Sequence, residues 1–170
     1  MNSRERVRLA LSHKEPDRVP YDLGATIATG IHKQAYDGLR GYLGLPQKED
    51  HAIADMVQQI VVIDGDVAER LKTDARSVVP RPAGAFTLEI KDGGDYTYYH
   101  DEWSIGWRMP KRGGLYYDMF DHPLRSATTV EEVDKFPWPN ATDPARFEGL
   151  RERARRAAEV EGKAVVLGGL

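Results

Sequence analysis

The sequence predicts an α/β fold: the N-terminal part of a TIM (β/α)8 barrel that carries an inserted antiparallel β-meander. Three observations predict it. First, the chain closes on Lys163-Ala-Val-Val-Leu-Gly-Gly-Leu170, an unbroken apolar run of the kind found in a strand covered on both faces, as in a parallel sheet. Second, a helix leads into that strand. Phe147, Leu150, Ala154, Ala157 and Val160 share one face, Asp143-Pro144 forms the start and Gly162 the stop. Third, five of the eight tyrosines and two of the three tryptophans fall between Tyr96 and Leu124, punctuated by glycine and proline, the composition of a half-buried meander at about 85–120. A helix running into a buried strand is one step of a barrel. A complete barrel takes about 250 residues and seldom fewer than about 200. The 170 residues here, part of them spent on the meander, therefore read as the N-terminal portion of a longer protein, incomplete as a barrel.

Elements follow in order. Ser3 is positioned to cap a short helix with Val7, Ala10 and Leu11 on one face, and Pro16 stops it. Val19–Gly24 reads as a strand entering a hydroxyl-bearing loop at 24–30. Ile31, Ala35, Leu39 and Tyr42 recur at helical spacing up to Gly44. Ala52–Leu71 reads as helical with a break at Asp64-Gly-Asp66, and Asp74–Val79 as a strand ending at Pro80. Phe86–Ile90 alternates as a strand and Asp92-Gly-Gly-Asp95 turns it into the meander. There Tyr96–Asp101 continues through Trp103–Trp107, with a bend at Gly106, and Leu115–Met119 returns after Gly113-Gly114. Thr128–Lys135 is a brief capped helix, and Phe136-Pro-Trp-Pro139 is held extended by its prolines.

Composition narrows the function. A net charge of -3 leaves no basic surplus to neutralise phosphates, so nucleic acid is not an expected partner. The absence of cysteine excludes disulfides and thiolate metal ligands within this chain and fits a cytoplasmic location. The N-terminal residues lack an apolar h-region, and the longest apolar run, Ile60–Ile63, is far too short to span a membrane.

The candidate substrate-binding residues are Asp22, His100, Glu102, Tyr116 and Gly168. Asp22 ends the first expected strand, the position that faces the active-site mouth of a barrel; its alternative role is capping a turn. His100, Asp101 and Glu102 carry metal-binding or proton-moving chemistry, and period-two alternation lets only His100 and Glu102 converge. Trp103, Trp107, Tyr116 and Tyr117 are able to stack on a flat macrocycle or to form core. Gly168 permits close approach of a ligand at a strand end or simply turns the chain. His32, His51 and His122 have no ligand-like spacing, and Arg151–Arg156 reads as a solvated helix face.

Three segments together resemble the uroporphyrinogen decarboxylase superfamily: Ser3-Arg-Glu-Arg-Val with Leu11-Ser-His-Lys-Glu-Pro-Asp-Arg-Val-Pro20; Asp101-Glu-Trp-Ser-Ile-Gly-Trp-Arg108; and His122-Pro-Leu with Pro137-Trp-Pro139 and Asp143-Pro-Ala-Arg-Phe147. The middle segment is most similar to the divergent branch related to cobamide-dependent methyltransferases. The resemblance implies a TIM barrel that takes a tetrapyrrole or corrinoid at its C-terminal mouth, with a corrinoid protein as a further partner. For the full-length relative it implies methyl transfer between a corrinoid and a thiol or methyl donor, with zinc as cofactor, or, alternatively, uroporphyrinogen decarboxylation in porphyrin biosynthesis. The decarboxylases' two substrate-binding arginines would fall near Ala25 and Thr29, and their pyrrole-binding aspartate near Arg81, so the chain departs from that pattern at three positions. Zinc ligands in the methyltransferases include cysteines, which this chain lacks, so by itself it is expected to be inactive and its catalytic residues are unassigned. A third alternative is a non-catalytic module whose aromatic meander grips a partner.

Overall fold

The computed structural model describes residues 1–168. In chain order its elements are α1 (Ser3–Leu11), a 3-10 turn (Ile27–Thr29), α2 (Lys33–Tyr42), β1 (Ile53–Asp55), β2 (Ile60–Val61), α3 (Gly65–Arg70), β3 (Ala75–Val78), β4 (Lys91–Asp92), β5 (Tyr96–His100), β6 (Gly106–Pro110), β7 (Asp118–Asp121), α4 (Val130–Asp134), α5 (Pro144–Phe147), α6 (Leu150–Arg155, continued by a π-type turn Arg156–Val160) and β8 (Ala164–Leu167). The fold is mixed α/β. Its sheets are small, and among the described residues none closes into a barrel. No helix among them is long and apolar enough to cross a membrane.

The chain divides into two units: Met1–Pro80 together with the segment from Glu148 onward, and Arg81–Phe147. In the first, Tyr36, Val61, Ile63, Val67 and Ala68 form the core, with Leu23, Leu39, Ile53 and Leu71 packed around it. Buried charge completes it. Arg40 is 1% exposed and donates to the Pro46 carbonyl, Asp64 and Asp66. Its partners are spaced two apart at the start of α3, so one planar guanidinium reaches both. Tyr36 donates to Asp64 from the same core, and burial pushes its phenol pKa up.

The second unit is the aromatic meander β4-β5-β6-β7, antiparallel throughout, with α4 and α5 following it. Tyr99 and Tyr117 meet edge to face at 4.9 Å and are its most buried rings. This unit is wider than the expected insertion at about 85–120 because Glu102 closes onto Arg146: two guanidinium nitrogens donate to the carboxylate at 3.2 and 2.5 Å.

Several elements differ from expectation, each for a local reason. The first cap is Asn2, one residue earlier than Ser3, in a reciprocal capping box with Glu5. Val19–Gly24 is not a strand: Pro20 has no N–H, and the Tyr21 N–H goes to the Asp74 side chain rather than to a ladder. Ala52–Ile63 is the hairpin β1–β2 rather than helix, because Ile60-Val-Val-Ile63 is β-branched and Gln59 takes a left-handed φ of 54° at the turn. Phe86–Ile90 finds no strand partner and stays irregular, with Ile90 half exposed. The chain reverses at Asp101–Ser104 instead of continuing through Trp103–Trp107, and the returning strand starts at Asp118 rather than Leu115. The long helix after Pro144 is broken at Gly149, whose φ is 66°. β8 is not covered on both faces: Val165 and Leu167 are 38% and 57% exposed, since β3 alone pairs with it among the described residues.

Candidate active-site mouth at the parallel strand pair

β3 and β8 are the parallel pair that the closing strand predicted. Their register runs from Ala75 opposite Ala164 to Val78 opposite Leu167. The ladder extends by one bond at each end, Ala164 N–H to the Asp74 carbonyl and Gly168 N–H to the Val78 carbonyl. The segment after Pro20 travels the same way. Its Tyr21 carbonyl accepts from Asp74 N–H at 2.7 Å, at the start of β3. Its Ala25 carbonyl lies 3.6 Å from where a Cβ on Gly168 would stand, at the far end. Three chain segments therefore deliver their C-terminal ends to one place, the side on which open α/β sheets and barrels hold ligands.

Of the five candidate residues, two have Ala25 as a common neighbour there. Asp22 Oδ1 accepts from Ala25 N–H at 3.1 Å, while Oδ2 has no partner among the described residues. Gly168 faces Ala25, Ser77 and Val79 at ordinary contact distance. The 24–30 loop is braced by its own hydrogen bonds. Thr26 and Thr29 exchange backbone-to-hydroxyl bonds reciprocally, and Gly24 N–H closes onto the Thr29 carbonyl. A Cβ on Gly24 would stand 2.4 Å from Ile63 Cγ1, and one on Gly30 would stand 2.3 Å from Ile60 Cγ2. Only glycine lets the loop lie that closely on the β2 segment.

Asp74 ties the other end of this frame. It is 1% exposed and accepts from Arg6 Nη1 (2.6 Å), Arg18 Nη1 (2.7 Å) and the Tyr21 N–H (2.8 Å). Burial alone would raise its pKa. The bonds from Tyr21, Ser3, Arg18 and Arg6 outweigh that and hold the carboxyl below the usual range. Arg6 also chelates Asp17, which is drawn down to about 2 chiefly by that bond. Asp74 thus fixes where the first loop departs, and through it the position of Asp22. Sequence reasoning missed this network; a signal existed in Arg6 and Arg18 recurring within a short helix and its exit, but their partner lies 68 and 56 residues away.

The remaining candidates belong to the meander unit and do not converge. His100 Nε2 meets Asp121 at 3.1 Å beside Phe120 and Tyr98, whereas Glu102 is past the end of β5 and engaged with Arg146. The expected convergence fails because the strand ends at His100, so the alternation does not extend to residue 102. Asp101 organises the turn instead, accepting from Trp103 N–H, Ile105 N–H and the Trp107 indole, each at 2.9 Å. Tyr116 is 51% exposed; Tyr117 is core. Among the described residues no three histidine, aspartate or glutamate side chains are grouped to hold a metal ion. Compared with known proteins, the chain matches no family model, no curated protein and no solved structure.

Proposed function

We propose that this chain belongs to a uroporphyrinogen decarboxylase-like protein of the methyltransferase type, acting in methyl transfer between a corrinoid and a thiol or methyl donor. On this reading residues 1–168 supply the first strands of a (β/α)8 barrel and part of its ligand-binding mouth. One observation carries the proposal: β3 and β8 run parallel with the Tyr21–Ala25 segment alongside, and the braced 24–30 loop sits at their C-terminal end. The loop presents small side chains and backbone, with the Asp22 carboxylate as the available acceptor, a surface suited to a large flat ligand rather than to a tetra-acid held by arginines. Residues here do not fit zinc, so no step is assigned to that metal within this chain.

The test is to express the reading frame that contains this chain and incubate the product with methylcobalamin and a thiol, and in parallel with uroporphyrinogen, measuring zinc in the purified protein. Demethylation of the cobamide with stoichiometric zinc is the expected result. Coproporphyrinogen formation, or neither activity, overturns the proposal. Asp22→Ala is expected to raise KM for the corrinoid more than it lowers kcat, because Asp22 holds ligand rather than reacting with it.

A further inference from the structure

The meander unit contains an apolar groove of about 340 Å³, apart from the strand-end loop described above. It is lined by Trp103, Ile105, Met119, Phe136 and Trp138, together with the exposed His122 and Arg125. Its aromatic lining is fixed before any ligand arrives. Asp101 holds Trp103 and Ile105 through their N–H groups, and the next residue of that turn, Ser104, takes a left-handed φ of 59°. Trp138 is flanked by prolines and donates its indole N–H to the Val133 carbonyl at 3.0 Å. The rings stand edge to face, Trp103 to Trp138 at 6.1 Å and Phe136 to Trp138 at 4.7 Å, yet Trp103 and Trp138 remain 44% and 47% exposed. A turn, Arg125 N–H to the His122 carbonyl, places these two residues together. The Arg125 guanidinium and the His122 ring have no hydrogen bond or ion pair among the described residues.

We propose that this groove binds a small planar aromatic molecule carrying one anionic group. Its ring packs against the exposed parts of that edge-to-face cluster, and its anion meets Arg125. The volume falls within the range of small-molecule sites, in which mostly apolar walls and a few polar groups set affinity and orientation respectively. Preformed walls spare the ligand the entropy of ordering them. The unpaired guanidinium chooses the sign of the charge and, being a planar fork, favours a carboxylate or sulfonate.

The whole chain is titrated with 2-naphthoate and with its neutral isostere 2-naphthamide at low salt, following tryptophan fluorescence and heat. The anion is expected to bind saturably and about fivefold more tightly than the amide, a gap typical of one exposed ion pair. Arg125→Gln, an exposed change that leaves the walls intact, is expected to bring the two ligands within about twofold of each other. Trp138→Leu is expected to weaken both ligands alike. Absence of saturable binding, equal affinity in the unaltered protein, or a gap that survives Arg125→Gln overturns the proposal, and the Arg125 arm stands even where the Trp138 variant misfolds.

Discussion

The two units solve the same problem, holding loops in place, with opposite chemistry. The first uses ion pairs with a buried member and partners distant in sequence: the buried Arg6 and the exposed Arg18 reach the buried Asp74 across 68 and 56 residues, and the buried Arg40 reaches Asp64 and Asp66 across 24 and 26. The meander uses short-range devices. Asp101 bonds two, four and six residues along the chain, and rings fill the space between strands; Glu102–Arg146, His100–Asp121 and Gly84 N–H to Asp143 are among its longer-range contacts. The difference teaches where each unit is brittle. A buried ion that loses its partner keeps its full desolvation cost. A turn that loses one acceptor can still find water.

The largest expected effect follows from that contrast. Asp74→Ala leaves the buried Arg6 without that partner, frees the exposed Arg18 to turn to water, and removes the acceptor for the Tyr21 N–H. It is expected to cost about 3 kcal/mol, the scale for breaking a buried pair, read as a shift in the urea midpoint of the first unit. A loss below about 1 kcal/mol would mean that the network behaves as a solvated surface pair, and the contrast between the units would dissolve.

Acid should separate the units in the same direction. Arg40 lowers the Asp66 pKa. Burial would raise that of Asp64, but bonds from Lys48 and Tyr36 outweigh it and leave it lowered, as happens at Asp74. A carboxylate whose folded pKa is depressed contributes stability that is fully present above its unfolded value of about 3.9 and is lost as pH falls through the folded value. For Asp17 that window runs down to about pH 2. Circular dichroism and amide exchange between pH 5 and pH 2 (roughly the span over which carboxylates protonate) should show the first unit loosening, with a shallower slope in Asp74→Asn. An unchanged slope in that variant would assign the acid sensitivity elsewhere.

Within the meander the corresponding lesion is smaller. Asp101→Ala removes three acceptor contacts at one turn and is expected to cost about 1.5 kcal/mol. The Trp103 and Trp107 emission should shift red while the β5–β6 amides stay protected. Collapse of the whole meander in this variant would show that the turn, rather than the rings, holds the sheet.

How much of this was legible beforehand depends on the range of the interaction. The β8 strand, the Asp92–Asp95 turn, a helix cap at Thr128 or Thr129 and the helix ending at Gly44 were readable because each is decided by residues within one turn of itself. The β1–β2 hairpin was not: Ala52–Ile63 is apolar enough for either state, and the Val61 N–H bond to the Ile31 carbonyl, 30 residues away, adds to the β-branched run and the Gln59 turn in favour of strand. Gly168 was identifiable as a strand-end residue, whereas Asp22 lies in a segment that forms no strand, and the Ala25 neighbourhood common to both depends on the β3–β8 register, which no local pattern encodes. His100 and Glu102 do not pair because Asp101, placed before Trp-Ser-Ile, acts as a turn former and ends the strand's alternation.

The smallest predicted effect is also the cleanest internal control, because both units use one identical device. Asn2 and Glu5 form a reciprocal capping box at α1, and Thr129 and Glu132 form another at α4. Alanine at either cap exposes the same orphan N–H groups and should cost about 1 kcal/mol. The interest lies in what that loss reaches. α1 carries Arg6, so fraying it should loosen the Asp74 network and speed exchange at Tyr21 and Ala75 as well as within the helix. α4 carries Val133, whose carbonyl holds the Trp138 indole, so Thr129→Ala should speed exchange at the helix amides and disturb one tryptophan only. Equal spreading in the two variants would mean that buried charge transmits strain no further than stacked rings do.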